Sequence, residues 1–223
     1  MARTRSLRTP AIGTESLQLF GIVTLDATAP TRESDVELVP LRELAAIVQR
    51  VPYERLEATS AAIREYRDIV ETRFREQAVI PAPFGTVFRS RSSLLHWMEL
   101  HYVTLKSGFS FVGDRLMARL RVTPLPLPSE GVSDTREMQA LDFETTIFDS
   151  FRFLRRSAVA CVTFAPSASP SGKTLEASFL VEREKWESFN AAVGEERRRL
   201  RDFDIEESGP LPPYDFVRLR FGA

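Results

Sequence analysis

Three prolines fall within four positions in the stretch Gly209-Pro210-Leu211-Pro212-Pro213-Tyr214-Asp215-Phe216. Each proline fixes φ at about −65° and removes a backbone donor. The stretch therefore excludes a helix or a central strand and predicts a stiff, extended, polyproline-like piece. The aromatic pair Tyr214 and Phe216 follows at once, with the strand-like Val217-Arg218-Leu219-Arg220-Phe221 behind it. A rigid segment ending in rings loses little entropy on docking and carries large apolar area, so it reads as a clamp.

The rest of the chain supplies a body for such a clamp. A length of 223 residues allows burial of about 70% of the unfolded surface. Leu17 to Leu25 is apolar at both alternations, as in a central strand covered on both faces. Val36–Val39 and Leu44–Val51 read as short strands, the second also compatible with a helix start. Glu57 to Ala78 reads as a helix with the stripe Ile63, Tyr66, Val70 and Phe74. Pro81 and Pro83 end it, and Gly85 permits a positive φ or a close backbone approach. A second helix is expected from Ser92 to Ser107.

From Arg115 onward the pattern changes. Leu116, Ala118, Leu120 and Val122 alternate with Arg115, Met117, Arg119 and Arg121, as in a half-exposed strand. A Pro-rich connection follows. Asp134 and Glu137 then resemble a cap pair opening a helix to Arg155, with the stripe Leu141, Thr145, Phe148 and Phe151. Ala158–Phe164 reads as a buried strand, 165–174 as a loop, and Leu175–Glu182 as an alternating strand. Glu184–Arg201 reads as a helix with Trp186, Phe189, Val193 and Leu200 inward, and Phe203–Glu207 as a short last strand. The order β-α-β-β-α-β is the ferredoxin-like arrangement, an antiparallel sheet with helices on one face. The fold class is α+β in two domains: a disordered basic tail over 1–16, an N-terminal α+β domain over 17–112, and a ferredoxin-like domain over 113–223 closed by the clamp.

The candidate chemistry is thin. Pro170-Ser171-Gly172-Lys173-Thr174 ends like a phosphate-binding loop, but Ser167 stands where that pattern needs glycine, and a strand follows where it needs a helix. His96 and His101 are five apart, about 140° around a helix, so they do not face one metal ion. Cys161, the single cysteine, excludes an internal disulfide, fits a reducing compartment, and reads as a buried, inert thiol. The Arg115, Arg119, Arg121 row could grip phosphate or an acidic partner, but reads first as a solvated strand face. Net charge of −1 gives no global attraction to nucleic acid or an anionic membrane. No catalytic residue, metal site or cofactor is expected.

Two stretches, Pro81-Ala82-Pro83-Phe84-Gly85-Thr86-Val87-Phe88 and Gly209-Pro210-Leu211-Pro212-Pro213-Tyr214-Asp215-Phe216, together resemble the gas vesicle protein GvpL/GvpF family. Its members carry a mid-chain P-x-x-F-G-T-x-F and end in G-P-W-P-P-Y-x-F. Phe20-Gly21-Ile22-Val23 is similar to the family's opening strand. Leu211 stands where the family favours tryptophan, and Ala82-Pro83 replaces the usual pair before Phe-Gly-Thr. The resemblance implies a cytoplasmic, gas-vesicle-associated protein that is structural or assists assembly and contacts the small hydrophobic shell protein and other gas vesicle proteins. No catalytic residues carry over. Pro81, Gly85, Thr86, Gly209, Pro210, Pro212 and Pro213 are then motif residues, and Phe84, Phe88, Tyr214 and Phe216 candidate partner contacts. The competing role for these four rings is to lock the two domains together as core. The other functional class is a non-catalytic, ligand-binding regulatory module, since ferredoxin-like domains often bind small molecules.

Overall fold

The computed structural model describes residues 16–25, 32–33, 36–125, 133–169, 172–217 and 219, with backbone only at 32–33, 133–141, 169 and 172. Its elements, in order, are β1 (Ser16–Thr24), β2 (Arg32–Glu33), β3 (Val36–Leu41), β4 (Leu44–Val51), α1 (Ser60–Glu76), β5 (Val79–Pro81), β6 (Val87–Phe88), α2 (Arg91–Leu100), α3 (Tyr102–Val112), β7 (Arg115–Pro124), α4 (Ser133–Leu154), β8 (Ala160–Thr163), β9 (Ser167–Ser169), β10 (Gly172–Glu182), α5 (Trp186–Arg199) and β11 (Phe203–Leu211).

The first sheet has the order β2-β3-β4-β1-β5, with β6 also on β1, all antiparallel. β1 is central and buried from Ser16 to Val23. A bulge between Leu19 and Gly21 shifts its alternation. Leu17, Leu19 and Ile22 consequently share one face, which α2 and α3 cover with Leu94, Met98, Leu105 and Phe109. Phe20 and Val23 face the other way, toward Tyr66 and Val70 of α1. The sheet is thus enclosed by helices on both sides, which is why Leu17 to Leu25 is apolar at every alternation.

The second sheet has the order β11-β7-β10-β8, all antiparallel. In chain order that is fourth, first, third, second, the ferredoxin-like arrangement. Leu120, Val122, Ala177 and Phe179 pack beneath Phe143, Ile147, Phe151, Phe189 and Val193 of α4 and α5. The helix-free face carries Met117, Arg119, Arg121, Glu176, Ser178 and Leu180, and its apolar end turns toward the first unit, where Leu180 joins that unit's core.

Several expectations change. Ser16, assigned to the tail, is buried and opens β1, its hydroxyl donating to the Val51 carbonyl at 2.6 Å; the remainder of the tail lies outside the described residues. Leu44–Val51 is a strand. The helix expected over 92–107 is two, broken at His101, because the buried stripe passes from Met98 to Leu105 in two helical turns and hides the break. The buried face of α4 is Phe143, Ile147, Phe151 and Leu154, and Thr145 is exposed; Leu141 and the cap pair fall among side chains outside the description. β8 is an edge strand and only half-buried. β9 pairs antiparallel with the start of β10, Ser167–Ser169 against Gly172–Thr174. Lys173 pairs with Glu144 and lies in β10, with no helix after it, so the phosphate-loop pattern has no phosphate-loop geometry. β11 continues through Gly209 and Pro210 to Leu211 as an edge strand, the Gly209–Pro210 bond being cis. Val217 and Leu219 are not in a strand but lie against the first core.

Between α4 and α5, Ser150 Oγ donates to the buried Glu196 carboxylate, and Arg199 donates to it as well. Burial pushes the Glu196 carboxyl up, but the donations from Arg199 and Ser150 outweigh it and hold it below the usual range. A depressed folded-state value stabilises the protein above the unfolded-state pKa of about 4.3. That contribution is lost as pH falls through the folded value. Glu196→Gln is expected to lower stability at pH 7 by about 1–3 kcal/mol and to flatten its acid dependence, read by urea unfolding at pH 7 and below pH 4. Parallel acid profiles in variant and parent would refute the assignment.

Candidate functional site: the seam between the two units

The two proline-rich stretches form one structure. After β5, the Ala82 N–H donates to the Phe20 carbonyl at 2.9 Å, and the Ala82 carbonyl accepts from the Tyr66 hydroxyl. The chain then turns over Pro83–Thr86. The Thr86 N–H and hydroxyl donate to the Pro83 carbonyl at 3.2 and 2.7 Å. Gly85 sits third in this turn with φ of 80°, the position and sign that a type II turn reserves for glycine. The Thr86 carbonyl accepts from Leu19 N–H at 2.8 Å, and β6 resumes pairing with β1. The turn presents Phe84 edge-on to Tyr66, centroids 5.8 Å apart, and sends Phe88 to Trp97 at 5.7 Å on the opposite face of the sheet.

The second stretch starts in β11. Pairing with β7 shifts between Ser208 and Leu211, and Gly209 lies there because a Cβ would sit 2.7 Å from the Trp186 ring. Pro212 and Pro213 are buried, and their carbonyls accept from the N–H groups of Tyr214 and Phe216 at 2.7 and 3.2 Å. The resulting strap runs between the units and distributes its side chains three ways. Tyr214 joins the cluster of Phe20, Tyr66 and Phe84. Phe216, Val217 and Leu219 join the cluster of Leu19, Ile80 and Phe109. Asp215 faces the second sheet, where Arg119 Nη2 and Ser178 Oγ both donate to Oδ2 at 2.6 Å.

Beside the strap lies an open cleft of about 550 Å³. Ile63, Tyr66 and Phe84 line it from the first unit, Leu211 and Tyr214 from the second, with Arg67, Arg119 and Arg121 at its margins. Ile63, assigned to the buried stripe of α1, remains 39% exposed because its side of the helix borders this cleft. The Tyr214 hydroxyl is buried and has no hydrogen-bond partner among the described residues. Burial, then the neighbouring Tyr66, push its pKa above the ordinary tyrosine range.

The four candidate rings therefore fall into two pairs. Phe84 and Tyr214 share one cluster and the cleft; Phe88 and Phe216 pack on the other face of the first sheet. Pro81 ends β5 opposite Gly21, and the remaining motif residues shape the turn and the strap. The arginine row is not simply solvated: Arg119 holds Asp215, Arg121 pairs with Glu176 at 2.8 Å, and Arg115 donates to the Phe111 carbonyl. Ser178, Asp215 and Tyr66 are not legible as site residues in the sequence, and Arg119 only as one of a row that could grip an acid; an acid set between two aromatics, at Asp215, is the available signal. Cys161 is half-buried, and burial raises its thiol above the ordinary range, opposed by Arg155. Among the described residues no cluster of side chains is suited to a metal ion, and no helix is long and apolar enough to cross a membrane.

The profile of the gas vesicle synthesis protein GvpL/GvpF family matches residues 17–146 and 132–218, nearly all of both units and both proline-rich stretches. The chain belongs to the GvpL/GvpF family. It is similar to Gas vesicle protein F1 of Halobacterium salinarum, 21% identical over 221 residues, covering 94% of this chain and 96% of the relative. Gas vesicle protein F2 of the same organism is 23% identical over 188 residues, covering 83% and 81%. Among solved structures, the gas vesicle protein GvpF from Anabaena sp. PCC7120 superposes with a TM-score of 0.76 at 15% identity, covering 93% of this chain and 100% of that one. GvpF from Microcystis aeruginosa gives 0.71 at 14% identity, covering 92% and 99%. These GvpF structures share the two-unit α+β fold.

Asp215→Asn keeps the shape of the strap but removes its charge. It is expected to cost about 1–2 kcal/mol, less than a fully buried pair because the Arg119 side chain is 37% exposed. Amide exchange at Tyr214–Val217 should accelerate with it. An unchanged denaturation midpoint together with unchanged exchange would show that the strap is held by its rings alone.

Proposed function

We propose that this GvpL/GvpF protein assists gas vesicle formation by holding the small hydrophobic shell protein in the cleft between its two units, with Ile63, Phe84 and Tyr214 as contacts. The observation that carries the reading is that both family motifs converge on one open, largely apolar cleft. A subunit that will face a gas phase presents apolar surface that aggregates in water unless covered. A concave site with exposed apolar side chains supplies such cover. Phe88 and Phe216 serve in this reading as packing that fixes the cleft's walls. The same site supports a second reading, a small-molecule regulatory pocket, on the strength of the cleft's volume. That reading requires a melting-temperature rise with a metabolite and no effect of the shell protein.

The deciding experiment is co-expression with a small gas vesicle shell protein, followed by co-purification in soluble form. Ile63→Glu places a charge in the cleft at a position already in contact with water. It is expected to abolish co-purification while shifting stability by no more than about 0.5 kcal/mol. Tyr214→Ala with Phe216→Ala is expected to lower stability by roughly 2 kcal/mol or more, since both rings also pack on the cores. Shell protein that stays soluble and bound to the Ile63→Glu variant would remove the cleft from the proposal.

A further inference from the structure

The second sheet has two outer strands, and they are protected very differently. The phase of the β11–β7 ladder, set by the Leu125 N–H to Asp202 carbonyl bond, turns the backbone groups of Phe203, Ile205 and Glu207 to the open side. There α5 closes the edge: Arg197 Nε donates to the Ile205 carbonyl at 3.2 Å and Nη2 to Glu207 at 3.2 Å, while Trp186 covers Gly209. Proline at Pro210 removes one further donor. This is the guarding that outer strands ordinarily receive.

Among the described residues, β8 at the opposite edge has none of it. Its residues Ala160, Cys161, Val162 and Thr163 include no proline and no charge, and two are β-branched. The Phe164 N–H to Glu176 carbonyl bond fixes the phase, so the N–H and C=O groups of Cys161 and Thr163 point away from β10. Thr163 is exposed, and Val159, which precedes the strand, is 42% exposed. Immediately before it, Arg155 and Arg156 are exposed and meet no carboxylate among the described residues, whereas Arg152 one turn earlier pairs with Asp149. Arg155 is close enough to Cys161 to act on its thiol.

We propose that the open edge of β8 is a strand-addition site for an extended segment of a partner protein, uncharged and β-branched along its length and acidic at its C-terminal end. Main-chain pairing supplies the affinity in such sites, and side chains at alternate positions supply the selectivity. The polarity follows from the sheet, in which every neighbouring pair is antiparallel. An added antiparallel strand ends beside the start of β8, so its C-terminal residues meet Arg155 and Arg156. Guanidinium groups hold carboxylates there with charge-assisted hydrogen bonds. This site is separate from the cleft and does not depend on the reading given to it.

The test uses the full chain and a fluorescently labelled peptide of alternating valine and threonine ending in two glutamates. Binding at about 100 μM or tighter is expected by fluorescence anisotropy, with slowed amide exchange at Cys161 and Thr163. Arg155→Glu with Arg156→Glu should weaken it at least about tenfold, and so should moving the glutamates to the peptide's N-terminal end. The same peptide N-methylated at alternate amides should not bind, which tests main-chain pairing without altering the protein. No binding up to about 1 mM, or equal binding by the charge-reversed variant or the N-methylated peptide, overturns the proposal. A concentration-dependent dimer that excludes the peptide assigns the edge to a second copy of the chain and also overturns it.

Discussion

One carboxylate ties the strap between the two units to the second sheet. Asp215 receives Arg119 and Ser178 from adjacent strands of the second sheet, while the residues on either side of it enter two different clusters of the first unit. Rings alone slide over apolar surfaces; a charged oxygen shared by two short donors fixes a register. With Asp215 placed, Tyr214 can only reach the α1 side of the first sheet and Phe216 only the α3 side. Tyr214 then borders the cleft that Ile63 and Phe84 line from the first unit.

The proline-rich motifs work through backbone restriction more than through contact. Pro83, Gly85 and Thr86 form a turn that carries the chain from one β1 pairing to another, so a single stretch delivers Phe84 and Phe88 to opposite faces of one sheet. The prolines after Leu211 perform the corresponding task at the seam. They stop β11 and turn the chain into the space between the sheets, where a longer strand would have run out into solvent. Membership of the GvpL/GvpF family therefore has a physical content here: both shared motifs build the walls of one cleft.

Much of this was legible in the residues. The alternation of Leu116 to Val122 and of Leu175 to Val181 marked the two inner strands of the ferredoxin-like unit, because side-chain direction repeats every two residues whatever the strand packs on. The doubly apolar Leu17–Leu25 marked the central strand of the other. What stayed hidden has definite causes. The break at His101 leaves the helical repeat in phase, so periodicity cannot register it. The face of α4 was misread because phenylalanines at 143, 148, 151 and 153 offer more than one stripe, and only the sheet beneath selects among them. The Arg119–Asp215 bond joins residues 96 apart. No local pattern distinguishes an arginine that will meet such a partner from one that faces water, and Arg121, two residues away, looks identical in sequence.

The strap also imposes an order on synthesis. The first unit's two clusters are complete only when Tyr214, Phe216, Val217 and Leu219 arrive, after the whole second unit has been translated. At about 5–20 residues per second, the nascent first unit waits roughly 5–20 s with part of its apolar surface uncovered. During that interval it is itself a client for whatever shields hydrophobic surface in the cell. A chain read as a guardian of a water-averse subunit therefore begins life needing the same service.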